Sequence, residues 1–122
     1  MSEIDESLFE AYERFEEYAR EALEALPPDL RKQMSNVEIV VEQEPPGGQP
    51  LLGLYQGIPL TRRSSFYGGV LPDKITIYRG PLERLYGQDQ ETLRLQVKRV
   101  VLHEIAHHFG ISDERLIEID RY

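Results

Sequence analysis

The sequence predicts one domain, residues 1–122, that combines helices with a few short strands. Three observations point to it. An acid-rich segment near the N-terminus repeats apolar residues at helical spacing, and the middle of the chain carries short β-branched runs divided by Pro and Gly. A long stretch opening at Asp89 is apolar on more than one face, the pattern of a buried helix. At 122 residues the chain is long enough for a single core with little surplus surface.

The first helix is expected over residues 5–26, with Leu8, Tyr12, Phe15, Ala19, Ala22, Leu23 and Leu26 on one stripe and glutamates over much of the rest. Pro27-Pro28 stops it, and residues 29–34 suit another short helical turn. Residues 37–42 read as a β-branched strand, followed by an irregular loop at Pro45-Pro46-Gly47-Gly48. Two short extended pieces, 51–55 and 58–61, flank Gly57, and Pro59 suits an edge and not a sheet centre. Residues 62–73 form a glycine-containing loop. Residues 74–78 alternate most cleanly as a strand, and Pro81 opens a short helix to Tyr86. Asp89 caps a long helix to Phe109; Gly110 ends it, and Ser112 caps a last helix through Leu116 and Ile119.

The net charge of −8 excludes several functions. It sits entirely in residues 1–30, where ten acids face Arg14 and Arg20, whereas residues 31–122 balance; it is therefore a solvated helix face. No basic cluster exceeds Arg62-Arg63, so no nucleic-acid partner is expected. Without cysteine there are no disulfides, thiolate metal sites or cysteine nucleophiles. The start, Met1-Ser2-Glu3-Ile4-Asp5-Glu6, is unlike a signal peptide, and no apolar run approaches a membrane span. A cytoplasmic protein without a membrane partner is the default expectation.

One segment points to chemistry. His103-Glu104-Ile105-Ala106-His107-His108-Phe109-Gly110-Ile111-Ser112-Asp113 reads His-Glu-x-x-His-x-x-Gly-x-x-Asp and contains all three histidines. On a helix His103 and His107 lie roughly 40° apart and one turn along, so both imidazoles can converge on one zinc ion. Glu104 falls at roughly 100° from His103, beside the ion without being an obvious ligand, which suits a general base. Gly110 permits a sharp turn that brings Asp113 back as a third ligand, with Glu114 and Glu118 as substitutes. Asp113 equally suits the N-terminus of the next helix, where its charge meets the helix dipole. Three protein ligands leave a position for water, the mark of a catalytic zinc site. Peptide-bond hydrolysis follows, with Glu104 taking the water's proton and delivering it to the leaving amine. His108, four positions after Glu104, lies on Glu104's flank; it either bonds near the base or occupies a polar edge. Tyr55, Tyr67, Tyr78 and Arg79 are candidates to assist an oxyanion, and each is as easily a packing residue.

The segments Leu51-Leu52-Gly53-Leu54-Tyr55-Gln56-Gly57-Ile58-Pro59-Leu60, Leu71-Pro72-Asp73-Lys74-Ile75-Thr76-Ile77-Tyr78-Arg79-Gly80-Pro81-Leu82 and residues 102–116 resemble the small bacterial zincin-like metallopeptidases, or minimal zincins. The Asp-terminated motif also looks like that of some secreted bacterial neutral proteases. The resemblance implies an α+β, zincin-like fold: a small mixed sheet packed against the buried active-site helix, with the N-terminal amphipathic helix and the short C-terminal helix around it. It implies Zn2+ as cofactor, His103, His107 and Asp113 as ligands and Glu104 as base; the peptide or protein substrate is expected from the chemistry of the motif. By analogy with larger zincins, residues 74–78 or 51–60 would align that substrate by strand addition. Two other readings compete: a zinc-stabilised interaction module without catalysis, and a metal-dependent hydrolase of a non-peptide amide. The presence of Glu104 favours an enzyme over the module, because a purely structural site needs no base.

Overall fold

The computed structural model describes the backbone of residues 2–34, 36–57 and 72–120, and their side chains except at 2–6, 113 and 120. The extended piece read at 58–61, most of the loop read at 62–73, Tyr67 and Arg62-Arg63 lie outside the described residues. The helices are α1 (Ser2–Glu24), α2 (Pro28–Gln33), α3 (Arg79–Tyr86), α4 (Gln90–Phe109) and α5 (Asp113–Asp120). The strands are β1 (Val37–Glu42), β2 (Gly53–Gln56) and β3 (Asp73–Tyr78). The α+β expectation holds.

The stripe of α1 becomes core. Phe15, Ala19 and Ala22 are buried, as is Leu26 in the turn that follows. Paired alanines one turn apart let α1 lie close against α4, and the helix also packs on β1. Tyr18 donates its hydroxyl to Gln90 Oε1 at 2.9 Å, and Arg94 reaches Glu21 at 3.0 Å across the same contact. Leu8, expected on the buried stripe, is 42% exposed, because the core contact begins only at Ala11. The acidic residues Glu10, Glu13, Glu17 and Glu24 face solvent, as their charge requires.

The sheet is mixed, in the order β1-β3-β2, with β1 parallel and β2 antiparallel to β3. Its centre differs from what alternation suggests. Residues 74–78 read as a strand from their alternation, a pattern that suits one buried face, yet Ile75, Thr76, Ile77 and Tyr78 are all buried, Thr76 at 1% exposure. The cause is position: β3 has a strand on each side, and alternation along one strand carries no information about its neighbours. The same position overturns residues 74–78 as a substrate-docking edge, since both ladders of β3 are already paired. Among the described residues the edge on the α4 side is β2.

Asp89 caps α4, accepting from Thr92 N at 3.1 Å and Thr92 Oγ1 at 2.7 Å. Those two bonds, the hydroxyl's first, hold its carboxyl below the ordinary 3.8. A depressed carboxylate stabilises the fold above its unfolded value and loses that contribution as pH falls through its folded value. Asp89→Ala is therefore expected to lower the urea midpoint at pH 7, and the gap to wild type should close in acid below the ordinary 3.8. A gap that persists or widens there would show that the carboxylate charge is not what holds the cap.

Candidate metal centre

The chemistry-bearing residues sit on the C-terminal half of α4. Val101, Leu102, Ile105 and Ala106 are buried against the core. They span an arc of roughly 140° around the helix, and His103 and His107 fall beyond it, one turn apart. Both are exposed, as is His108, while Glu104 is half-buried. The motif turn is thus not buried on all sides, as the apolar pattern of the helix suggested. Its apolar arc covers under half the circumference, and the histidines take the open remainder.

Two walls flank that open face. On one side, α5 follows α4 through Gly110, whose backbone is left-handed at φ 64° and ψ 34°. Its amide and that of Ile111 both donate to Ala106 O, closing the helix and turning the chain sharply. Ser112 then caps α5, its Oγ accepting from Arg115 N at 3.2 Å. Asp113 begins α5, but its side chain lies outside the described residues. Glu114 and Glu118 are exposed. Leu102, His103, Leu116, Ile117 and Arg99 enclose a cleft of about 90 Å³ between the two helices.

On the other side lies β2, running alongside α4. An added Cβ at Gly53 would meet Val100 Cγ1 at 2.6 Å and the Thr76 carbonyl oxygen at 3.1 Å; one at Gly57 would meet His108 Cε1 at 2.9 Å. The absence of side chains at these two positions lets the strand lie against the helix, with Tyr55 between them. Tyr78 N donates to Leu52 O, so the antiparallel alternation turns Leu54 and Gln56 towards β3 and the main-chain groups of Gly53 and Tyr55 away from it. The outward amide of Tyr55 donates to Glu104 Oε1 at 3.1 Å. Its ring stacks on His108, with centroids 3.9 Å apart and planes inclined by 19°, and meets Phe109 edge-on. Its hydroxyl donates to Asp73 Oδ2 at 2.7 Å.

His103, Glu104 and His107 are therefore on one accessible face, between α5 and the edge of β2. His108 does sit on Glu104's flank, where it is a stacking partner for Tyr55. Two oxyanion candidates are engaged elsewhere. Tyr78 is buried beside Glu42, its phenol pushed above the ordinary value by burial first and by that charge second. Arg79 is bound by Glu83 and Gln43 and lies over the Tyr12 ring. Among the described residues no group of three or more His, Asp or Glu side chains is placed to hold a metal. The described donors are two exposed imidazoles one turn apart, a pair that suits zinc.

A family model described as zincin-like metallopeptidase matches residues 34–122. The chain belongs to this family. Among solved structures it is similar to a conserved hypothetical protein from Thermo thermophilus, at 28% identity and a TM-score of 0.55, over 81% of this chain and 94% of that one. No protein of curated function matches the chain. In this member of the family, α1 precedes the matched stretch although it supplies part of the core. Membership supports a metal-dependent peptidase. No helix among the described residues is long and apolar enough to cross a membrane.

What sequence reasoning passed over was Asp73, and the importance of Tyr55. The signal was present in Gly53-Leu54-Tyr55-Gln56-Gly57: on a strand, the two glycines and the tyrosine share one face.

Proposed function

We propose that the chain is a zinc-dependent peptidase that uses Glu104 as general base. The observation that carries this reading is the exposed His103–Glu104–His107 face, with the Glu104 carboxylate held by the Tyr55 amide on the adjoining sheet edge. His103 and His107 would hold the ion, with Asp113 as third ligand from the start of α5. Zinc bound there would act as a Lewis acid and make a water acidic near neutral pH. Glu104 has one carboxylate oxygen on the Tyr55 amide, which leaves the other to take the proton of the attacking water and pass it to the leaving amine.

The outward main-chain groups of Gly53 on β2 would help align an extended peptide beside Glu104, so the substrate is a peptide or an unfolded protein segment. The apolar walls of the cleft beside His103, Leu102, Leu116 and Ile117, suit a small aliphatic side chain.

A proteome-derived peptide library tests the reading. Cleavage by the zinc-loaded chain that stops on chelation and returns with zinc is the expected result. Zinc bound without cleavage of any peptide would overturn it and favour the zinc-stabilised interaction module. Turnover confined to small non-peptide amides would favour the alternative hydrolase.

A further inference from the structure

The motif accounts for His103, Glu104 and His107, but not for the group that meets Glu104 from the sheet. We propose that Asp73 and Tyr55 form a clamp that positions the Glu104 carboxylate, so that Tyr55 is a positioning residue of the site. The inference rests on the peptidase reading given above and assigns these two residues a part in it.

The argument starts from the alignment of β2 with α4. Two strand residues advance about 6.8 Å and one helical turn of four residues about 6 Å, so a strand beside a helix stays in step for two or three contacts. The contacts here are Gly53 with Val100, Tyr55 with Glu104 and Gly57 with His108. The middle pair is joined by a hydrogen bond. Its donor is a main-chain amide on a four-residue strand that has, among the described residues, one neighbouring strand to hold it. Without further restraint such an edge frays readily.

Restraint comes through the Tyr55 side chain. Tyr55 pairs with Ile75, and Asp73 lies two residues further along the same face of β3, within diagonal reach. Asp73 is 8% exposed and accepts the Tyr55 hydroxyl at 2.7 Å, a bond strengthened by the acceptor's charge. The ring held in this way packs face-on against His108 and edge-on against Phe109, both on the last turn of α4. The strand is thus tied to β3 through the hydroxyl and to α4 through the ring. The Tyr55 amide, lying between those ties, is fixed on Glu104 Oε1, which sets the direction of the free carboxylate oxygen.

Simple strand-to-helix adhesion would make any loss of activity follow loss of fold or of metal. A clamp on the base makes kcat fall while the fold, zinc affinity and KM hold. The test uses the full zinc-loaded chain with Tyr55→Phe, Asp73→Ala and Asp73→Asn. Tyr55→Phe and Asp73→Ala are expected to lower kcat by about ten- to a hundredfold, with KM within about threefold of wild type and zinc affinity unchanged. Asp73→Asn, which keeps an oxygen for the Tyr55 hydroxyl, should recover most of the loss seen in Asp73→Ala. A second readout does not depend on turnover. The Tyr55 amide resonance should shift, and its hydrogen exchange quicken by about tenfold or more, in Glu104→Ala and in Asp73→Ala. Wild-type kcat in Tyr55→Phe and Asp73→Ala would overturn the clamp, and so would a loss that merely tracks zinc occupancy or melting temperature. If wild type cuts no peptide, the peptidase reading fails, and the amide then decides the clamp by itself. Release of the amide in both variants upholds it, and an unmoved amide overturns it.

Discussion

Glu104→Gln is expected to reduce peptide cleavage by the zinc-loaded chain by about two to four orders of magnitude, the usual worth of a positioned general base. The substitution is nearly isosteric, and the glutamine carboxamide oxygen can still accept the Tyr55 amide now bonded to Glu104 Oε1. What it lacks is a second oxygen able to take a proton. Fold, the edge of β2 and the two exposed histidines should therefore be untouched, and zinc affinity should match wild type. Steady-state cleavage of the best library peptide, beside zinc binding by competition with a chromogenic chelator, separates these effects. Cleavage by the variant at the wild-type rate would remove Glu104 from the reaction. Loss of zinc binding in parallel would instead make it part of the metal's support.

Phe15→Ala is expected to have the largest effect on stability, about 3–5 kcal/mol by chemical denaturation. Phe15 is 1% exposed and lies with Ala19, Ala22, Val97 and Val101 in one core cluster, so truncation leaves a cavity that close-packed neighbours fill poorly. The result matters because α1 precedes the residues that the family model matches. A loss below about 1 kcal/mol would mean that this contact contributes little and that the matched segment stands without α1. A loss of the expected size would make α1 an integral wall of the fold, set against the same helix that carries the motif.

Much of this fold was legible from local pattern. Residues 37–42 were read as a strand with the bounds of β1, and Asp89 and Gly110 were read as the two ends of α4. Each of these signals is short-range: β-branching, a side chain that accepts an amide three residues on, a glycine able to adopt positive φ. Strand order was not legible. Residues 74–78 looked like an edge candidate until they were found between two partners, and Leu8 looked like core until α1 was found to meet the body of the protein only from Ala11. Both depend on what lies beside an element, which periodicity does not encode.

The site divides along the same line. The spacing of His103, Glu104 and His107 follows from helical repeat, so their common side of α4 was available from the linear order of residues. That this side faces solvent, and that Glu104 borders a sheet edge, required the packing of β2 against α4. Tyr55 and Asp73 are 49 and 31 positions away from Glu104, and it takes the mixed sheet to set Tyr55 against Glu104 and Asp73 against Tyr55. The sequence alone established a pair of imidazoles and a carboxylate on one helix; the folded chain established what holds that carboxylate. The physical reason is range. Helical geometry relates residues within a turn or two, whereas the hydrogen bond from a strand edge to a helix exists only once long loops have closed and the core has packed both elements together.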